Sequence, residues 1–222
     1  VALLESEFAA LMGSKYALAV SSCSAALFLS LKALGLPRDA RVLIPAFTFA
    51  AVPSSVIHAD CIPMLCEVKD NYRIDIADFT AKIADNIDAV IISHMRGHIA
   101  DMDAIMEVCD ARGITVIEDC AHTMGARWKG TRSGNFGRVA CFSTQTYKHM
   151  NSGEGGFLIS DNAEWMARAI MLSGSYMLYA RHKAAPPVAA FEKLRYETPN
   201  MSGRMDNLRA AILRPQLADL SN

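Results

Sequence analysis

Lys148 follows a short apolar run, 139–143, that reads as a β-strand, and precedes the glycine cluster Gly153-Glu154-Gly155-Gly156. A second apolar run upstream, 115–119, ends on the carboxylates Glu118 and Asp119. A lysine holds an aldehyde as an imine only when its charged form has been destabilised. A carboxylate at the buried end of a strand can keep a heteroaromatic nitrogen protonated, so that the ring accepts electrons from a breaking bond. Turns that open helices present N–H groups and a positive dipole end to an anion. One lysine, one buried carboxylate and several such turns describe a site for a phosphorylated aromatic aldehyde.

Those residues need a scaffold that delivers strand ends to one rim. Runs of β-forming residues occur at 17–20, 41–45, 63–68, 89–94, 115–119, 139–143 and 156–160, and helical stretches separate most of them. In 101–112 the apolar residues Met102, Ile105, Met106 and Cys109 recur on one helical face, with Gly113 placed to end the helix. In 24–34 Leu27, Leu31 and Leu34 form a similar stripe before Gly35 and Pro37. Helices are also expected over 2–12 and 209–220, and the Pro/Ala-rich segment 183–190 reads as a mobile loop leading out of the sheet domain. This alternation implies a three-layer αβα domain with a mostly parallel, seven-stranded sheet and right-handed crossovers. Ligands of such sheets bind beyond the carboxyl ends of the strands, where Asp119 and Ser143 both lie.

Composition narrows the function classes. The 222 residues carry 22 Lys+Arg against 23 Asp+Glu with no basic run, which argues against nucleic acid or an acidic membrane surface as partner. No apolar stretch approaches the length of a membrane span, and no signal-peptide pattern opens the sequence. A hydrophobic content of 52% matches a parallel sheet covered on both faces. Cys23, Cys61, Cys66, Cys109, Cys120 and Cys141 form no Cys-x-x-Cys pair, so reduced thiols in a cytoplasmic protein are expected and a zinc site is not. His94 and His98 have the spacing of a helical metal pair. They follow a strand, with Gly97 between them and no evident third ligand, which favours loop or pocket positions over a metal site.

Five segments then fall in a telling order: Ser22-Cys23-Ser24-Ala25-Ala26-Leu27; Ile44-Pro45-Ala46-Phe47-Thr48-Phe49; His94-Met95-Arg96-Gly97 with Ala100-Asp101-Met102; Ile117-Glu118-Asp119-Cys120-Ala121-His122; and Phe142-Ser143, Lys148 and the glycine cluster. Together they resemble the DegT/StrS family of pyridoxal phosphate (PLP)-dependent sugar aminotransferases, which have the aspartate-aminotransferase (type I) fold. The resemblance implies that Lys148 binds PLP covalently and shuttles the proton. It implies that Asp119 pairs with the pyridine nitrogen, that His122 sits near the phenolic oxygen and that Phe49 stacks on the ring. Ser143 and the backbone at Cys23 and Ser24 would hold the phosphate. The implied reaction moves an amino group from an amino-acid donor, glutamate, to a keto-sugar acceptor that is often nucleotide-linked, in a homodimer.

The sequence departs from the family pattern at three positions. Cys23 stands where a glycine is usual, which is tolerable if its φ stays negative. Arg96 replaces a common Tyr and is the candidate substrate contact, because a guanidinium grips a carboxylate or phosphate. Ser202 stands where family members commonly have an Asn that reaches the partner subunit's cofactor phosphate. By the same resemblance, residues 1–222 are the large PLP-binding domain of a longer enzyme, without an N-terminal segment and a smaller C-terminal α+β domain. Two alternatives stay open: the family's dehydratase branch, which has His in place of the lysine and is kept in view by His149, and a non-catalytic PLP-binding regulatory module.

Overall fold

The computed structural model describes residues 1–84, 86–175 and 178–220. Its strands are β1 (Tyr16–Val20), β2 (Arg41–Pro45), β3 (Ile62–Cys66), β4 (Ala89–Ser93), β5 (Thr115–Asp119), β6 (Arg127–Trp128), β7 (Thr131–Arg132), β8 (Val139–Ser143) and β9 (Gly156–Ser160). Seven of them form one sheet in the order β1-β9-β8-β5-β4-β2-β3, while β6 and β7 make a separate hairpin. Every pairing from β8 to β3 is parallel, and β9 runs antiparallel to both of its neighbours. The run expected at 63–68 instead ends at Cys66, because Val68 turns back to bridge Ile74 and closes a short loop.

The helices are α1 (Ala2–Met12), α2 (Cys23–Leu34), α3 (Ala51–His58), α4 (Ile76–Ile83), α5 (Met102–Asp110), α6 (Ala163–Leu172), α7 (Leu194–Glu197) and α8 (Asn207–Leu213). Side chains alternate between the two faces of a strand, and the core divides accordingly. Val42, Ile44, Ala89 and Ile91 pack with Leu27 and Leu31 of α2, Val52 of α3 and Ile170 of α6. Their neighbours Leu43, Val90 and Ile92 pack on the opposite face with Phe79 of α4 and Ile105 of α5. On that second face Phe8 of α1 stacks on Phe157 at 4.1 Å. Two apolar faces, each roofed by helices, make the three layers. Among the described residues no helix is long and apolar enough to cross a membrane.

Two sequence expectations need correction. The helix expected over 209–220 ends at Leu213 and continues as a 3-10 turn, Arg214–Leu220, since Pro215 has no N–H to extend an α-helix. Segment 183–190 does not lead away from the domain. It docks on the edge strand β1, where the Ala17 N–H donates to the Ala184 carbonyl at 3.0 Å, and Ala184 is buried. The next two outward N–H groups of this edge are also taken. Ala19 donates to the buried Glu5 carboxylate of α1 at 2.9 Å, and Ser21 donates to the Gly203 carbonyl at 2.8 Å. The second Glu5 oxygen meets His182 Nδ1 at 2.7 Å, and His182 Nε2 meets Ser175 Oγ at 2.9 Å.

The reversal of β9 matters for the site. A parallel crossover after β8 would carry the chain to the far end of the sheet. The antiparallel return keeps residues 144–155, and Lys148 with them, at the rim where β5 and β8 end. Thr144 and Gly155, Thr146 and Gly153, and Ser152 and Thr144 are joined by backbone hydrogen bonds of 2.9–3.1 Å that fix this loop.

Candidate active site

All the candidate residues face one cleft of about 580 Å³ at the carboxyl rim: Cys23, Ser24, Phe49, Arg96, Asp119, His122, Ser143 and Lys148. Asp119 ends β5 and is buried. Its Oδ1 accepts the Ala121 N–H at 3.1 Å and its Oδ2 accepts the Ser93 hydroxyl at 2.9 Å. Ser93 Oγ in turn lies 2.7 Å from Thr48 Oγ1. With its hydrogen donated to Asp119, Ser93 accepts from Thr48, so a two-hydroxyl relay orients the carboxylate. Sequence reasoning missed Ser93, and it quoted Thr48 only inside a motif.

The neighbouring Glu118 points the other way, into the core, and is fully buried. One of its oxygens accepts the N–H groups of Phe136 and Gly137, both at 2.8 Å, and the other accepts from Gly134 at 2.9 Å. His94 adds its Nε2 at 3.3 Å, while its Nδ1 accepts the Ala100 N–H, which places the ring proton on Nε2. His94 is therefore a buried core histidine and not a loop or pocket residue. It shares a small buried cluster with Glu118 and Cys120 in which potential metal-ligand atoms lie within 4.8 Å. These contacts engage both imidazole nitrogens and both carboxylate oxygens, and burial pushes the Cys120 thiol well above its ordinary pKa. The cluster is a structural anchor for the 133–137 turn. His98, by contrast, is exposed.

Lys148 is half-buried in the cleft. Desolvation lowers its pKa below the ordinary lysine value, Arg96 pushes it in the same direction, and Asp119 opposes the shift. The same burial, with repulsion from Lys148, lowers His122. A less charged amine beside a neutral imidazole is the state in which a lysine attacks an aldehyde. His149 is exposed and is not among the cleft-lining residues.

The candidate anion end of the cleft is built from backbone. Ser22 caps α2 by accepting the Ala25 N–H at 3.0 Å, a contact worth about 1 kcal/mol, and Cys23 begins the helix without a positive φ. The N–H groups of Cys23 and Ser24 belong to the first turn, which no intrahelical carbonyl serves. Gly156 backs this turn. A Cβ there would fall 2.6 Å from the Cys23 nitrogen and 2.7 Å from the Phe142 oxygen, so a side chain would push the turn out of place. Arg96 sits in the left-handed region at φ 55°, a strained setting for an L-residue that costs roughly 1–2 kcal/mol, and its side chain is exposed at the cleft mouth.

The model of the DegT/DnrJ/EryC1/StrS aminotransferase family matches residues 1–222. The chain belongs to that family. It is 32% identical over 222 residues to the UDP-N-acetyl-3-dehydro-alpha-D-glucosamine 3-aminotransferase of Acidithiobacillus ferrooxidans, covering 98% of this chain and 56% of the relative. It is also 32% identical over 216 residues to the L-glutamine:scyllo-inosose aminotransferase of Streptomyces griseus, covering 96% and 50%. Among solved structures, S. venezuelae DesV in complex with a ketimine intermediate superposes with a TM-score of 0.84 at 31% identity, covering 98% of this chain and 56% of that one. The chain spans about half the length of the curated relatives it matches. Aminotransferases of this family use PLP. The cleft fits that cofactor: it offers a half-buried lysine of lowered pKa, a buried carboxylate held by a hydroxyl relay, and a glycine-backed helix start.

Proposed function

We propose that the full-length protein moves an amino group from an amino acid, with glutamate as the expected donor, to a keto-sugar. The observation that carries this reading is the convergence of Lys148 and Asp119 on one cleft. Bound PLP supplies the electron sink for breaking the donor's α-C–H bond. Lys148 holds the cofactor and moves the α-proton; Asp119 keeps the ring nitrogen protonated. With the cofactor bound, His122 would lie near its phenolic oxygen and Phe49 would stack on its ring; both line the cleft. Ser143, with the backbone of Cys23 and Ser24, takes the phosphate. Mixing the PLP-loaded protein with L-glutamate or L-glutamine should convert the cofactor to its amine form, followed by absorbance. Retention of unchanged PLP with both donors would leave only the non-catalytic module. The dehydratase alternative loses support because Lys148, and not His149, lines the cleft.

Arg96 is proposed to grip an acidic group of donor or acceptor, which fits its strained backbone at the cleft mouth. Losing such a bidentate pair costs roughly 2–4 kcal/mol. Arg96→Tyr should therefore raise KM for one substrate by roughly 30-fold or more, a change read by measuring both half-reactions. Unchanged constants for both would reduce Arg96 to a solvated rim residue.

A homodimer is proposed as well. Phe49 and Tyr147 at the cleft mouth and Leu208 on α8 are 65%, 90% and 73% exposed, apolar area that a second subunit would cover. Ser202 is exposed at φ 54°, its hydroxyl 3.2 Å from Arg204. Sedimentation of the full-length enzyme should show a dimer at micromolar concentration, and an active monomer would contradict it. The cysteines are free and mostly buried, which supports a reducing, cytoplasmic location.

A further inference from the structure

Strand β4 is apolar from Ala89 to Ile92 and then ends on a hydroxyl, Ser93, which is only 6% exposed. A hydroxyl taken out of water costs free energy unless it is hydrogen-bonded, so its partners define its role. Ser160, at the end of β9, settles this locally by donating to the Arg138 carbonyl at 2.7 Å. Ser93 is committed instead to two other side chains. It faces Asp119 across the parallel register of β4 and β5 and donates to Oδ2, while Thr48 donates to it from the segment after β2. These three strand ends are neighbours in the sheet. Thr48 is half-buried, whereas the next residue, Phe49, is 65% exposed and lines the cleft. One hydrogen-bond chain therefore joins the segment that presents an aromatic ring to the carboxylate that faces the same cleft.

We infer that Ser93 is a positioning residue for the cofactor's ring nitrogen, acting through Asp119, and that Thr48 acts through Ser93 to hold the Phe49 segment in register with that carboxylate; this rests on the reading that Asp119 pairs with the nitrogen. The Ala121 N–H fixes only Oδ1, at 3.1 Å, and a carboxylate held by one oxygen can still pivot. The Ser93 hydroxyl fixes Oδ2 and removes that freedom. An ionised carboxylate has about four lone-pair sites, so these two bonds leave it able to accept a third donor. Orientation matters because hydrogen bonds weaken steeply off line. Alanine at position 93 changes little volume. It nevertheless leaves Oδ2 without its fixed donor and Thr48 without this acceptor, which releases both ends of the chain.

The test compares the affinity of the full-length apo-protein for PLP and for the 1-deaza analogue of PLP, which has carbon in place of the ring nitrogen. Wild type should prefer PLP. Ser93→Ala should cut that preference by roughly 3- to 10-fold, the scale of one hydrogen bond, by weakening PLP and sparing the analogue. Thr48→Val should lower the preference in the wild-type background and add nothing in Ser93→Ala, because members of one chain are coupled. Equal weakening of PLP and the analogue in Ser93→Ala would mean lost packing and would overturn the inference. Additive losses in the double variant would overturn the part assigned to Thr48. Asp119→Asn separates the inference from the reading beneath it. If Asp119→Asn abolishes the preference and Ser93→Ala retains it in full, Asp119 keeps its partner and only the relay falls. A wild type without a preference, or one that survives Asp119→Asn, would put the nitrogen elsewhere and take the pairing down together with the relay.

Discussion

Alanine at position 148 is expected to abolish amino transfer, slowing cofactor conversion by roughly 10⁴-fold, since both the covalent anchor and the proton carrier disappear together. Borohydride reduction of the loaded wild type should mark Lys148, mapped as a single modified peptide. The pH dependence follows from the direction of the shift. Burial lowers the Lys148 pKa, so at neutral pH a larger fraction of this amine is uncharged than of a solvated lysine. Covalent capture of PLP by the apo-protein should therefore rise with pH around a midpoint below the ordinary lysine value. A midpoint at that ordinary value, or a label on another lysine, would remove Lys148 from its role.

The second large effect is expected at Asp119. Asparagine preserves the shape and its amide oxygen can still accept the Ala121 N–H, with the Ser93 hydroxyl reversed to accept from the amide NH2, yet it cannot hold a ring nitrogen protonated. Asp119→Asn should thus retain measurable PLP binding while cofactor conversion falls by roughly 10²–10³-fold, the scale of one lost electrostatic partner at a reacting centre. Near wild-type conversion rates in this variant would place the ring somewhere other than above β5.

The elements that position these groups were legible because their signals are periodic. Alternation of strand and helix patterns gave seven strands close to their observed limits, and the apolar stripe of α5 needed only its Asp101 cap to be complete. The candidate residues were legible because ordered motifs attach side chains to strand ends. What stayed hidden depends on contacts between distant residues. Ser93 reads as one more strand residue until Asp119 is beside it, four atoms of hydroxyl and carboxylate being invisible to any period. Glu5 reads as a solvated helix residue, and only the β1 edge explains its burial. The reversed direction of β9 left no local mark either, since a buried strand is apolar whichever way it runs.

The fastened edge of β1 has a bearing on how this domain comes into being. A bare strand edge invites pairing with another chain, and here three separated segments, around Glu5, Ala184 and Gly203, close it off. Two of the three come more than 160 residues after β1 and the helix start it feeds, so about 160 residues of synthesis separate the strand from its covering segments. During synthesis the strand leaving for Ser21 and Ser22 therefore waits with open N–H groups until the ribosome has delivered residue 203. The proposed phosphate turn that this strand feeds is translated among the first elements, yet the backbone hydrogen bond that closes the edge beside it, Ser21 to Gly203, is formed only after most of the described residues have been made.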